Sequence, residues 1–392
     1  MKPTATFFSP GLLNAINASI LCTFLAAAGS AFAQAWTKTG ALSQNWEGVA
    51  CSADGAKIMA ASYQGNYAST NAGASWATNS LRAAFHVASS PEGSKLAASA
   101  SGSIHTSTNS GATWTSNKVY CMDVSGMASS ADGTKLVAVN PIGNGGHIYT
   151  SADAGTTWLT NSLSGRDWKA VASSADGSKL VAAATGAVYT STNSGVAWVS
   201  NNPGAPFPYW TCVASSADGT RLAAGIGGNG DVIYTSTNSG SSWTPCQMPE
   251  QVWSSLACSA DGSKLVAAAG NNGTIYTSTD SGSTWLSNSV PRIQWIAVAS
   301  SADGNRLVAL ANGGGIYTLQ AMSPPRLSIT PSGKNLTVSW TVPSANFVLQ
   351  ESSDLISWTN AAAAPTLNLT NLQDQVSLSA SNRISFCRLA TP

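Results

Sequence analysis

From residue 46 to about residue 319 the apolar positions come in short runs, alternating or wholly apolar, separated by turns rich in Gly, Asn, Ser and Asp. Runs this short, with period two and frequent turn residues, predict strands and leave no room for amphipathic helices. One line of the pattern reads Trp168-Lys-Ala-Val-Ala-Ser-Ser-Ala-Asp-Gly177-Ser-Lys-Leu-Val-Ala-Ala-Ala-Thr-Gly-Ala-Val-Tyr-Thr-Ser-Thr-Asn-Ser-Gly195-Val-Ala-Trp198. It divides into four strands. Strand A is the Val-Ala-Ser stretch opened by the Trp. Asp-Gly is expected to turn it as a two-residue hairpin with positive φ, and strand B is Lys-Leu-Val-Ala-Ala. A Gly/Asn-rich loop leads to strand C, Ile/Val-Tyr-Thr-Ser, and a turn Ser-x-Asp/Asn-x-Gly-x-x-Trp leads to strand D.

This unit repeats. The Ala-Asp-Gly turn recurs at Asp54, Asp132, Asp176, Asp218, Asp261 and Asp303, with Pro91-Glu92-Gly93 as an imperfect copy, which makes seven. A basic residue follows each turn: Lys57, Lys95, Lys135, Lys179, Arg221, Lys264 and Arg306. The second turn ends at Trp76, Trp114, Trp158, Trp198, Trp243 and Trp285, spaced 38 to 45 residues apart. Such a period is that of a four-stranded propeller blade. The seventh unit, Trp295 to about Leu319, lacks this turn, and Trp36-Thr-Lys-Thr stands 40 residues ahead of Trp76. The expected fold is therefore all-β: a seven-bladed β-propeller whose N-terminal strand closes the last blade and removes the free edge of an open array.

The flanks read differently. Residues 1–33 carry one charge, Lys2, an apolar stretch from about Ala18 to Ala28, and Ala31-Phe32-Ala33 as a small-x-small site. This is the pattern of a secretory signal peptide, with cleavage expected after Ala33 and a secreted or periplasmic product. The run is too short for a membrane span. Residues 34–321 form the repeats, and Met322-Ser-Pro-Pro-Arg326 reads as a linker. Residues 327–392 hold further period-two runs, as in Leu336-Thr-Val-Ser-Trp340 and Phe347-Val-Leu-Gln-Glu-Ser, which predict a small C-terminal β-sandwich. Six cysteines remain beyond the signal segment, Cys51, Cys121, Cys212, Cys246, Cys258 and Cys387. They show no CxxC spacing or Cys/His cluster, so no zinc or other metal site is expected, and no pairing follows.

Charged residues are only 9% of the chain, against roughly 25% in ordinary soluble domains, and without Lys2 the basic and acidic residues number 17 each. That balance excludes a nucleic-acid binder, which needs a basic patch for phosphates.

The turns Ser151-Ala-Asp153-Ala-Gly155-Thr-Thr-Trp158 and Ser278-Thr-Asp280-Ser-Gly282-Ser-Thr-Trp285 resemble the Asp-box (BNR) repeat fully. Four other copies place Asn at the Asp position: Asn71, Asn109, Asn193 and Asn238. Either side chain can bond backbone amides two residues on. The resemblance implies a propeller with structural roles for Asp153, Gly155, Trp158, Asp280, Gly282 and Trp285. The family includes sialidases, xyloglucan-cleaving enzymes, sortilin-type receptors and non-enzymatic photosystem II assembly propellers, and the even seven-unit pattern is most similar to the last. The C-terminal module is similar to fibronectin-like modules of secreted proteins.

A glycosidase needs two carboxylates at a defined separation. In the repeats only Glu47, Asp123, Asp167, Asp231 and Glu250 lie off the repeat template, and they suggest no convincing pair. Arg82, Arg166 and Arg292, between a strand D and the next strand A, could gather as an anion clamp. Tyr120 and Tyr209 lie in the same connections. However, the Arg-Ile-Pro signature of sialidases is absent. Trp46, Trp168, Trp210, Trp253 and Trp295 open strand A in five units, with Ala84 and Val124 in the second and third. Five indoles could ring the channel mouth as a stacking surface, or could pack between blades. His86, His105 and His147 are scattered and read as exposed strand or loop residues. No catalytic residue and no cofactor is assigned. The expected function is non-enzymatic recognition of a glycan or a protein on the face shared by the D–A and B–C loops. A glycoside hydrolase of sialidase or xyloglucanase type is the alternative. Oligomeric state is not legible.

Overall fold

The computed structural model describes residues 36–81, 83–117, 123–161, 163–201, 203–204, 208–228, 232–320, 327–332, 335–341, 348–352, 357, 359–371, 373–379 and 386–390. Apart from a short 3-10 turn at Ile142–Asn144, the regular structure of the described residues is strand, and none of their helices is long and apolar enough to cross a membrane. The chain divides into two compact units between residues 322 and 323.

The first unit contains seven four-stranded antiparallel sheets. The first sheet is typical: Trp46–Cys51 pairs with Ile58–Ser62, which pairs with Tyr67–Ser69, which pairs with Ala77–Thr78. Strand A of each sheet lies beside strand A of the next, and Trp295–Ser300 of the seventh lies beside Trp46–Cys51 of the first. The outer strand of the seventh sheet comes from the N-terminal side, where Thr37 and Lys38 pair with Thr318 and Tyr317. Trp36, at the position that ends the second turn in other units, donates from Nε1 to Asn288 Oδ1 at 3.2 Å. The third sheet departs from expectation: its strand A starts at Gly126, not at Val124.

The Ala-Asp-Gly turn is longer than a two-residue hairpin. Strand A ends at Cys51 and strand B starts at Ile58. Ser52 closes the turn by accepting Gly55 N–H at its carbonyl and Lys57 N–H at its hydroxyl, at 2.8 and 2.9 Å. Only the glycine is left-handed, with φ 66° at Gly177. That glycine does a second job. A Cβ on Gly177 would stand 2.8 Å from Cδ and 2.9 Å from Cβ of Lys135, the basic residue of the preceding sheet. Lys135 lies across the bare glycine and donates from Nζ to Asp176 O at 3.0 Å. Lys179 reaches Asp218 O at 2.9 Å, and Arg306 reaches Asp54 O at 2.9 Å, from the last sheet to the first. The basic residue after each turn is thus a strap to the next sheet, its stem packed and its head bonded.

Inside the straps, backbone amides link neighbouring sheets: Ala131 to Ala175 O, Ala175 to Ala217 O, Ala217 to Ala260 O, Ala260 to Ala302 O, Ala302 to Ala53 O and Ala53 to Pro91 O, at 2.6–2.7 Å. Pro91 has no N–H to give to Ala131. These turns and the ends of strand A surround a cavity of about 170 Å³ at one end of the central channel.

In the second unit, Leu327–Ser332, Asn335–Thr341, Thr366–Asn368 and Gln373–Ser379 form one sheet, and Val348–Ser352, Thr359–Asn360 and Phe386–Ala390 form another. Val338, Trp340 and Val376 of the first meet Leu349 and Cys387 of the second in a buried cluster.

Candidate ligand-binding face

The five tryptophans that open strand A are not at the surface. Each retains at most 1% of its accessible area, so the stacking ring at the channel mouth does not exist. Each indole lies between two sheets: Trp168 packs with Val137, Val139 and Ile148 of the preceding sheet and with Leu180 and Ala182 of its own. Its edge meets the strand-C tyrosine of its own sheet. The pairs Trp46–Tyr67, Trp168–Tyr189, Trp210–Tyr234, Trp253–Tyr276 and Trp295–Tyr317 have centroids 5.0–5.7 Å apart and planes at 67–76°. Edge-to-face packing is favoured by the ring quadrupoles. The signal was present in the sequence: the two sheets without the Trp, those of Ala84 and Val124, are the ones whose strand C pairs its aromatic ring otherwise. There His105 replaces the tyrosine, or Tyr149 meets His147 at 5.9 Å.

The residue after the Trp is the one turned outward. In six sheets the A–B register shifts here, between Trp46 and Gly48, Ala84 and Val87, Trp168 and Ala170, Trp210 and Cys212, Trp253 and Ser255, and Trp295 and Ala297. A bulge leaves a residue unpaired and re-aims its side chain. It does so for Glu47, Phe85, Lys169, Thr211, Ser254 and Ile296, all partly exposed. Burial holds the Glu47 carboxyl above the ordinary range.

The D–A and B–C loops share one face, because they bridge each other: Gln44 to Gly314, Tyr209 to Thr185, Ile293 to Gly273. Here lie the off-template charges. Arg166 stands over the Tyr189 ring, 4.9 Å from its centroid, and Arg292 is exposed in the connection to the seventh sheet. Arg82, Tyr120, Asp231 and Cys121 lie outside the described residues. No shared partner joins Arg166 to Arg292 among the described contacts. Lys169 Nζ pairs with Asp167 at 2.9 Å and stands 5.0 Å over the Tyr209 ring. Burial works to raise the Asp167 pKa, but Lys169 and the Thr185 hydroxyl outweigh it and hold the carboxylate low. Asp123 accepts from Asn144 Nδ2 at 3.1 Å, and Asp167 accepts from the Ile142 backbone. The two carboxylates therefore hold the Ile142–Asn144 turn. A general acid must keep its proton near neutral pH, and Asp167 is held the opposite way. Glu250 is exposed.

The opposite face is occupied by its own bonds. Asp153 accepts Ser151 Oγ at 2.8 Å, Thr157 N–H at 2.8 Å and Thr157 Oγ1 at 2.6 Å, while Trp158 Nε1 donates to Gly155 O at 2.9 Å. Asp280, Gly282 and Trp285 repeat this with Ser278 and Thr284. Both carboxylates are held below the ordinary range, mainly by the Thr hydroxyls. Asn works equally well by reversing one bond: Asn71 Nδ2 donates to Ser75 Oγ at 2.9 Å.

The remaining candidates are structural. Cys51 and Cys258 line the channel cavity and donate to Ser300 O and Ser215 O at 3.3 and 3.0 Å. Burial pushes both thiols up to about 12. Among the described residues Cys51, Cys212, Cys246 and Cys258 form no disulfide. The histidines are not the exposed residues expected: His86 is partly covered in strand A and desolvation lowers it to about 4, and His105 is lowered by burial too.

Sequence reasoning missed an opening on the loop face. A groove of about 730 Å³ lies between the first two sheets, lined by Tyr63, Gln64, Asn66, Tyr67, Asn79, Phe85 and their neighbours. The rings of Tyr63 and Phe85 are 6.2 Å apart at 49°.

No protein-family model and no curated protein matches this chain. Solved structures do. YCF48 from Cyanidioschyzon merolae is 13% identical, with a TM-score of 0.57 over 73% of this chain and 98% of its own. YCF48 bound to D1 peptide is 15% identical, with a TM-score of 0.56 over 74% and 97%. The GH74 xyloglucanase from Xanthomonas campestris is 14% identical, with a TM-score of 0.58 over 79% of this chain and 60% of that one. All-β, built of four-stranded antiparallel sheets and superposing on these structures, the chain has the β-propeller fold.

Proposed function

We propose that this chain is an exported, non-enzymatic binding protein: a seven-bladed propeller over residues 34–321 carrying a β-sandwich at 327–392 beyond the linker 322–326. Its ligand, a glycan or a protein, is taken on the face of the D–A and B–C loops. One observation carries the reading. Of the eight exposed large hydrophobic residues among those described, Leu42, Tyr63, Ile142 and Tyr209 lie on that face, while the turns of the other face spend their polar groups on each other. Exposed apolar groups beside unspent polar ones mark recognition surfaces. The peptide held by YCF48 supports a protein ligand, and the xyloglucanase supports a glycan. Asp123 and Asp167, engaged in holding a loop, support binding over hydrolysis. The test is a glycan array and a peptide array with the purified protein, alongside hydrolysis assays on xyloglucan and sialosides. Saturable binding without turnover is expected, and turnover abolished by Asp167→Asn would overturn the reading.

A further inference from the structure

We infer that the groove between the first two blades is a subsite for a neutral oligosaccharide, stacked on Tyr63 and Phe85; this rests on the loop-face reading above and names its ligand. The described lining carries no charged side chain. Three charges of this face, Arg166, Asp167 and Lys169, stand at the fourth sheet and are spent on one another and on Tyr189 and Tyr209. A charged sugar or a peptide read through ionic side chains would find no counter-charge among the described lining residues. A neutral sugar needs none. Its C–H faces stack on aromatic rings and its hydroxyls bond to amides and hydroxyls.

Both kinds of group are in place. Tyr63 is 66% exposed, and Phe85 occupies the bulge position, where the other sheets place Glu, Lys, Thr, Ser or Ile. Two rings tilted at 49° offer faces to successive rings of a bent chain better than to one flat ligand. The exposed Gln64 amide and the Thr78 and Ser101 hydroxyls border the rings. The wall behind them is fixed. Asn66 is buried and bonds Leu81 O at 2.6 Å, Ser62 N–H at 3.1 Å and Ala84 N–H at 3.3 Å. Gln44 Nε2 reaches Tyr67 Oη at 3.4 Å. The rim is held in a costly shape: Ala83 and Ser101 have φ of 44° and 50°, a left-handed conformation that non-glycine residues adopt only when the surroundings impose it. The volume falls within the ~300–1,000 Å³ of small-ligand clefts.

Calorimetric titration of the purified protein with neutral hexose oligosaccharides, and with sialylated and uronate-bearing counterparts, tests the assignment. Tyr63→Ala should weaken binding of the neutral set at least about tenfold, Tyr63→Phe should keep it within about threefold, and Leu159→Ala, at an exposed strand-D residue of the third sheet, should leave it unchanged. Tyr63, Leu159 and Tyr209 are all exposed, so replacing any one of them should not affect folding, which thermal melting will verify. Preference for the acidic set overturns the assignment. So does neutral-sugar binding that survives Tyr63→Ala but is lost in Tyr209→Ala, although the loop face would then still be the binding face. Binding of peptides alone, lost in Tyr209→Ala, likewise overturns the sugar subsite and leaves the wider proposal standing.

Discussion

At the residue scale the largest single contributions come from the strand-A tryptophans. Each indole removes roughly 150–250 Å² from water, on the order of 4–6 kcal/mol at about 25 cal/mol/Å². Trp168→Ala should therefore lower the unfolding free energy by about 3–5 kcal/mol in urea titration. Whatever ligand binds the folded protein should keep its affinity, because no part of this ring reaches the surface; a binding loss exceeding the stability loss would return the indole to the recognition surface. His86 gives a second test, in pH. Its pKa falls from 6.5 to about 4 on folding. The unfolded state thus binds more protons throughout that window. Stability is full above pH 6.5, declines as pH falls toward 4, and declines no further from this group below that. The loss is at most about 3 kcal/mol. His105 shifts in the same direction, so the measurement is a difference: His86→Asn should flatten the dependence of the urea midpoint on pH between 6.5 and 4, and equal slopes would show that His86 is protonated without cost.

At the scale of the element, the A–B turn and its strap explain why Ala-Asp-Gly is followed by a basic residue. The charge is the smaller part of the strap. Lys135 bonds Asp176 O at 3.0 Å and Ser194 Oγ at 3.3 Å near the surface, where such bonds contribute about 1 kcal/mol, but its stem covers Gly177. Lys135→Met should cost less than about 1 kcal/mol, Lys135→Ala clearly more, and Gly177→Ala about 1–3 kcal/mol from the left-handed φ and the collision with the stem. Gly40→Ala, with nothing within 4 Å of the added carbon, is the control. If Met and Ala at position 135 proved equivalent in chemical denaturation, the stem would be irrelevant. The repeat was legible because each strand, turn and strap recurs in sequence. The tryptophans were legible in position, and in direction only through the strand-C tyrosines that accompany them. Strand alternation says that a residue faces one side; the bulge that follows, which sends Lys169 outward while Trp168 turns in, is set by pairing with strand B and leaves no mark in spacing. The groove was invisible for a related reason: Tyr63, Gln64, Ala83 and Ser101 belong to loops that do not repeat, and what brings them together is the juxtaposition of two sheets.

At the scale of the whole molecule, the ring is closed by a very short strand. The two residues Thr37 and Lys38 pair with Tyr317 and Thr318, Thr39 N–H bonds Ile316 O at 2.8 Å, and Trp36 packs against the cluster of the last two sheets. Two paired residues would not hold an outer strand by themselves; the indole and its bond to Asn288 anchor it. Removing residues 34–40 should leave Ile316–Gln320 as an unpaired edge, a template for pairing with another chain. We expect a truncated protein that is less stable by at least about 3 kcal/mol and that forms dimers or larger species on size-exclusion chromatography. A peptide of residues 34–41 added in trans should partly reverse both effects, whereas the same peptide with Trp36→Ala should not. A truncated protein that stayed monomeric at unchanged stability would mean that strand A contacts between the first and seventh sheets close the ring alone. The same strand constrains the proposed processing. Cleavage after Ala33 leaves Trp36 two residues inside the new N-terminus at Gln34 and spares the closure, while cleavage beyond Lys38 would cut the strand away. N-terminal sequencing of the exported protein should therefore find Gln34, and a start beyond Lys38 would be incompatible with a ring sealed in this way.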